Sequence, residues 1–232
     1  MSIHGNNFTY PVNNDPLFFT DLPKLLTIGE IWNAPDIVVH LPMKTGNIDN
    51  EIIDNLITVL STAPKNCSIN LENKHHNCYY GNLDHFTGLL NSFDDMVTER
   101  GLTRLKQNLN ICFDFGHYII QATEEKYPIR EMITNFITQN DKRLRMFHLH
   151  LNDGTFDHHI LPDRAPFPQQ PFVFPYKPDY YKVQEFGLFL AEILPLIQWK
   201  SSEERWIICE NEYPFTPDIL ASSFSWINSK FE

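Results

Sequence analysis

Short apolar runs recur along the chain, and each is followed by a stretch with helical spacing of its apolar residues. The runs are Ile37–Leu41 (IVVHL), Ser68–Glu72 (SINLE), Asn110–Asp114 (NICFD), Met146–Leu151 (MFHLHL) and Trp206–Glu210 (WIICE). Met1–His4 reads as the end of another. All are apolar nearly throughout, as strands buried on both faces should be. Amphipathic stretches predict helices over Asp49–Leu60, Asp84–Leu105, Ile119–Asn140, Tyr181–Trp199 and Pro217–Ser229, with a weaker one over Asp15–Ile31. Strands that alternate with helices imply βα units and a parallel sheet. There is no internal repeat and no low-complexity tract.

The ends of these runs decide between a barrel and an open sheet. They carry His4, His40, Glu72, Asp114, His148 or His150, and Glu210, all of them residue types that bind metals. In a (β/α) barrel the C-terminal ends of the strands converge on one mouth, where active sites sit. An open doubly wound sheet would spread them along a line, and no GxGxxG or Walker loop supports one. The expected fold is therefore α/β, a (β/α)8 TIM barrel formed by one domain over 1–232. Only six strands are patterned clearly, whereas a full barrel usually takes about 250 residues. The first βα unit is then absent, or a weakly patterned segment supplies another strand. An incomplete barrel would expose strand edges, so pairing with another chain is expected. The Pro-rich stretch Pro162–Pro178 reads as a loop, either pinned to the surface or covering the mouth with Phe167, Phe172, Phe174 and Tyr176.

Composition narrows the function classes. With 42% hydrophobic and 20% charged residues the chain reads as globular rather than disordered. The net charge of −11 disfavours a broad basic face for nucleic acid, though not a local groove. No apolar run is long enough to span a bilayer, and the N-terminal residues lack the pattern of a signal peptide. Four cysteines (Cys67, Cys78, Cys112 and Cys209) form no CxxC pair, so a reducing, cytoplasmic setting is expected, with no disulfide framework and no cysteine zinc site.

The candidate chemistry is that of a mixed oxygen and nitrogen metal site. Glu72, Asp114 and Glu210 end separate strands, Asn73 follows Glu72, and His117 lies three residues after Asp114. His148 and His150 fall on one face of their strand, because side chains alternate with period two. Any one carboxylate at a barrel mouth can be merely solvated or ion-paired. Several from separate strands are more specific, since burying unpaired acids is costly. Such donors suit zinc, manganese, iron or magnesium.

In order along the chain, SIHGNNF, VVHLPMKTG, INLENK, CFDFGH, HLHLNDGTFDHH and IICENEYP resemble the signature segments of the xylose-isomerase-like barrel superfamily. That superfamily includes sugar-phosphate isomerases and epimerases and the endonuclease-IV-like nucleases that cut at abasic sites. The resemblance implies one to three divalent ions (zinc, manganese or iron) held by Glu72, Asp114, His148 and Glu210. His4, His40, His117, His150, Asp157 and His159 are further ligand candidates. The isomerase-like spacing selects His148 and the nuclease-like match to HLND selects His150; the short interval to Asp157 favours His148.

Two activities follow. In the first, the metal chelates vicinal oxygens of a small sugar or sugar phosphate and stabilises an enediolate, while Glu72 or Glu210 moves the proton. His117, Lys44, Lys74 and Asn73 are then candidate substrate contacts. In the second, a metal cluster hydrolyses a phosphodiester at an abasic site in DNA. Against the second, Asn6 and Asn7 replace a DNA-probing aromatic, the Asp-Arg-His triplet reads Asp157-His158-His159, and basic residues near the mouth are sparse, with Arg164 the only further candidate beside the two lysines. A third reading is a degraded, non-catalytic relative. His75 and His76, in the loop after Glu72, read as solvent-exposed or, second, as substrate contacts; His85 and His158 read as surface residues, and Trp32, Trp199, Trp206 and Trp226 as core.

Overall fold

The computed structural model describes residues 2–4, 16–31, 34, 36–42, 49–64, 67–75, 78–155, 157, 159–160, 179–196, 206–209 and 217–230. Side chains are not described at 2–4, 16–21, 180 and 217–220. Strands β1 (Ser2–His4), β2 (Asp36–His40), β3 (Ser68–Glu72), β4 (Leu109–Asp114), β5 (Leu144–Leu149) and β6 (Trp206–Cys209) fall within a residue or two of the expected runs. Helices α1 (Pro16–Ile31), α2 (Asp49–Thr62), α3 (Leu83–Glu99), α4 (Phe115–Glu125), α5 (Ile129–Asn140), α6 (Tyr180–Ile193) and α7 (Pro217–Asn228) alternate with them. The Pro-rich stretch 162–178 lies outside the described residues, as do Trp32, His76, His158 and Trp199.

Two compact units emerge, Met1–Phe113 with Lys142–Arg145, and Asp114–Asp141 with Met146–Glu232. In the first, β1 to β4 pair in parallel, with His4 opposite Val38, His40 opposite Glu72, and Glu72 opposite Cys112. Every residue of β2 and β3 is buried, which is why these strands read as apolar runs without alternation. Helix α2 turns Ile52, Ile53, Leu56, Ile57, Val59 and Leu60 to the core at helical spacing. Asn82 caps α3 by accepting from the amides of Asp84 (2.9 Å) and His85 (3.2 Å). At the start of β2, buried Asp36 accepts from Arg145 Nε (2.6 Å) and Asn70 Nδ2 (3.3 Å), which supplies the partners that a buried carboxylate needs. In the second unit, β5 and β6 pair in parallel from Met146–Trp206 to Leu149–Cys209.

Two long expected helices are broken, each for a local reason. The Asp84–Leu105 stretch stops at Glu99, because Gly101 takes a left-handed conformation (φ +69°) and a 3-10 turn over Thr103–Asn108 follows. The Ile119–Asn140 stretch is two helices. Lys126 turns left-handed (φ 58°) and Pro128, which has no amide hydrogen to donate, ends the possibility of a continuous helix. Two tryptophans also depart from the expectation of core: Trp206, at the start of β6, is 45% exposed, and Trp226 is half-exposed. His85 is exposed as expected and stacks on Tyr79 at 3.9 Å, whereas His75 is half-buried.

None of the four cysteines forms a disulfide; Cys67, Cys78 and Cys112 are buried and Cys209 is half-buried. No helix among the described residues is long and apolar enough to cross a membrane. Burial, and then the negative charge of Asp36, pushes the Cys67 thiol up from 9.0 to about 11. The unfolded chain therefore loses this proton first, so the contribution to stability is complete below pH 9.0 and is lost as pH rises toward 11. Urea titrations should show stability falling over this window, with Cys67 adding a slope of at most about 1.4 kcal/mol per pH unit. Cys67→Ala should flatten that part of the slope; an unchanged difference between variant and parent across the window would refute the assignment.

Candidate metal centre

Asp114 ends β4 and starts α4, and its carboxylate serves both elements. It caps the helix by accepting from the His117 amide at 2.7 Å. The same carboxylate faces His150, whose Nε2 lies 3.1 Å from Oδ1 and 3.2 Å from Oδ2. His117 Nδ1 is 3.6 Å from Asp114 Oδ2, as the i, i+3 spacing of the first helical turn allows.

Asp157 approaches the other side of His150. Its Oδ1 is 3.4 Å from His150 Nδ1, and its Oδ2 lies 3.2 Å from His117 Nε2 and 3.0 Å from His159 Nε2. His117, His150, Asp157 and His159 each offer one ligand atom, and these atoms all lie within 4.8 Å of one another. His117 and His150 are buried, and Asp157 and His159 partly so. The rings of His150 and His159 sit 4.2 Å apart. Three imidazole nitrogens and a carboxylate oxygen, gathered in a mostly buried place, fit zinc, iron or manganese. The charge balance agrees. Burial is the largest influence on His150 and disfavours its protonated form, yet the carboxylates of Asp114 and Asp157 outweigh it and raise this imidazole above its ordinary value. A bound cation would take the place of that proton.

The turn that delivers Asp157 and His159 is tied down on several sides. Leu151 and Ile160 exchange two backbone hydrogen bonds (2.7 and 2.9 Å), closing the loop between them. Asn152 donates to the Gly116 carbonyl (2.9 Å) and accepts from the Gly154 amide (2.9 Å). Gly154 is left-handed (φ +82°), and so is His159 (φ 45°), a conformation that costs a non-glycine residue and recurs at functional sites.

The expected site residues distribute as follows. Asp114, His117, His150, Asp157 and His159 come together as described. His148 is buried, with its Nδ1 3.9 Å from Asp114 Oδ2, and His150 Nε2 is 3.1 Å from Asp114 Oδ1, so both imidazoles face the same carboxylate. In the other unit, His40 Nε2 lies 3.2 Å from Glu72 Oε2, both side chains being buried. Asn73 and Lys74 follow them and are buried too, although both residue types usually face water. The backbone of His4 pairs with β2. The His4 side chain lies outside the described part of the structure, as do Lys44, Arg164 and Glu210 in full.

Sequence reading assigned no role to Gly116, Asn152 or Asp153. Gly116 had a signal in FDFGH: a side chain there would stand 2.1 Å from the His150 ring, so only glycine admits the imidazole at this depth. Asn152 and Asp153 were visible only as the polar pair that follows the strand.

No family model matches the chain, and no curated protein matches it. Among solved structures it is similar to the crystal structure of a D-tagatose 3-epimerase-like protein, with a TM-score of 0.57 and 17% identity. The match covers 100% of this chain and 79% of that one. The likeness establishes the (β/α)-barrel fold expected from the strand ends.

Gly116→Ala should separate helix propensity from packing. Alanine ordinarily gains up to about 1 kcal/mol over glycine inside a helix. Here the new methyl group meets the His150 ring, and overpacking of this kind costs about 1–3 kcal/mol. Urea denaturation should therefore show Gly116→Ala to be destabilising. Gly88→Ala, in α3 with nothing within 4 Å of its added carbon, should be stabilising. A stabilised Gly116→Ala protein would mean that His150 does not pack against this glycine.

Proposed function

We propose that the chain is a divalent-metal-dependent enzyme that isomerises or epimerises a small sugar or sugar phosphate. The observation that carries the metal dependence is the placement of His150 between Asp114 and Asp157, with His117 and His159 completing a set of ligand atoms within 4.8 Å of one another. What points to a sugar is the likeness in fold to a D-tagatose 3-epimerase-like protein, together with the order of the signature segments.

In this reading Glu72, Asp114, His148 and Glu210, the ligands that the resemblance implies, hold the metal, and His117, His150, Asp157 and His159 are further ligands gathered beside Asp114. The metal supplies Lewis-acid polarisation of a substrate carbonyl oxygen. The protein supplies the proton transfer, for which the resemblance nominates Glu72 and Glu210. Glu72 is fully buried, and His40 Nε2 stands 3.2 Å from one of its oxygens. Lys44, Lys74, Asn73 and His117 are the substrate contacts of the same reading.

One observation favours a second reading, metal-assisted phosphodiester hydrolysis. His117, Asp157 and His159 lie beyond the four ligands that the isomerase-like pattern needs, yet they gather in one cluster. Hydrolases that clamp a phosphate from both sides use such additional ions.

Metal content per chain decides between them. The isomerase reading expects about one manganese, iron or zinc ion in protein purified without chelators, and turnover of a sugar or sugar phosphate in a substrate panel. Two or three zinc ions with cleavage of abasic DNA would transfer the assignment to hydrolysis. Asp114→Asn keeps a good helix cap while weakening the ligand, so the protein should stay folded and lose metal affinity by about 10–100-fold or more. Glu72→Ala should abolish turnover. Unchanged metal affinity in Asp114→Asn would remove this carboxylate from the site.

A further inference from the structure

We propose that Asp153 is a positioning residue that couples metal occupancy of the Asp157–His159 turn to the first turn of α6; this rests on the reading of His117, Asp157 and His159 as metal-holding residues. Asp153 is 5% exposed, and both oxygens of its carboxylate accept hydrogen bonds. Oδ1 accepts from the Thr155 amide (2.9 Å) and the Thr155 hydroxyl (2.5 Å). Oδ2 accepts from the backbone amide of Asp179 at 2.9 Å, which is 26 residues away in sequence. One oxygen therefore sets the path of the chain into the ligand turn, and the other holds the start of a helix.

The second contact has a clear helical logic. Asp179 is the N-cap of α6, and its side chain accepts from the Tyr181 amide at 3.1 Å. In a capping box the N-cap's own amide is satisfied by a Glu or Gln at the third helical position. Here that position is Lys182, which has no acceptor. Asp153 supplies the missing acceptor from the loop after β5. It also brings a negative charge to the positive end of the helix.

On the other side, Thr155 lies two residues before Asp157, and the Leu151–Ile160 pairing closes the same loop. A cation drawn to Asp157 and His159 fixes this turn, hence Thr155 and Asp153, and so the amide at the head of α6. One carboxylate thus touches both the ligand turn and the head of α6.

The test uses cobalt(II) as the probe. Its visible spectrum reports binding by imidazole and carboxylate, and hydrogen exchange of the amides at Tyr181–Val183 is read with and without the metal. In the parent protein cobalt should slow exchange at these amides. Asp153→Asn turns one acceptor into a donor facing Asp179 or Thr155. It should bind cobalt about 10–100-fold more weakly, and α6 should no longer respond to the metal that still binds at saturation. Asp179→Ala deletes the cap but leaves the amide that Asp153 holds, so α6 should fray without loss of cobalt affinity. Should Asp153→Asn fail to fold, Thr155→Val, which removes the hydroxyl's bond to Asp153 at nearly constant volume, must still weaken cobalt binding. Equal affinity and equal protection in parent and Asp153→Asn proteins would overturn the coupling while leaving the metal site standing. A parent protein that takes up no cobalt would overturn the reading of the cluster itself, and the coupling with it.

Discussion

The imidazole of His150 lies between the carboxylates of Asp114 and Asp157, flanked by a glycine backbone where any other residue would place a methyl group. Two acids so near a fully buried point would repel one another and lose their water, unless a positive charge stood between them. Protonated His150 is one such charge, and a divalent ion held by the surrounding imidazoles is a stronger one. The neighbouring parts of this unit are arranged to keep that arrangement from relaxing. Asp114 is fixed by capping α4, His117 by its place in the first helical turn, and Asp157 and His159 by the closed loop between Leu151 and Ile160.

The strands were legible because burial on both faces leaves a plain apolar run, and their C-terminal ends were legible because polar residues in such places need a reason. FDFGH announced Asp114 and His117 for that reason. Period two puts His148 and His150 on one face, so their spacing could not distinguish them. The room for the His150 ring is left by Gly116, on a different element, and no local pattern of β5 encodes it. The broken helix after Glu125 failed for a related reason. Apolar spacing continues across Lys126–Pro128, and the decisive fact is the missing amide hydrogen of one proline. Trp206 misled through its residue type, because a large aromatic at a strand end is as readily left at the surface as buried.

Fold and chemistry have to be argued separately. A (β/α) barrel hosts many reactions, and a structural likeness at 17% identity carries the architecture without the residue roles. What narrows the chemistry is the donor set. Carboxylate ligands neutralise part of an ion's charge, and one left free can move a proton. The cluster around His150 is weighted toward imidazole, three nitrogens to one carboxylate among its four ligand atoms. Neutral imidazoles leave more of the cation's charge for a bound oxygen, which favours activating water or binding an anionic group.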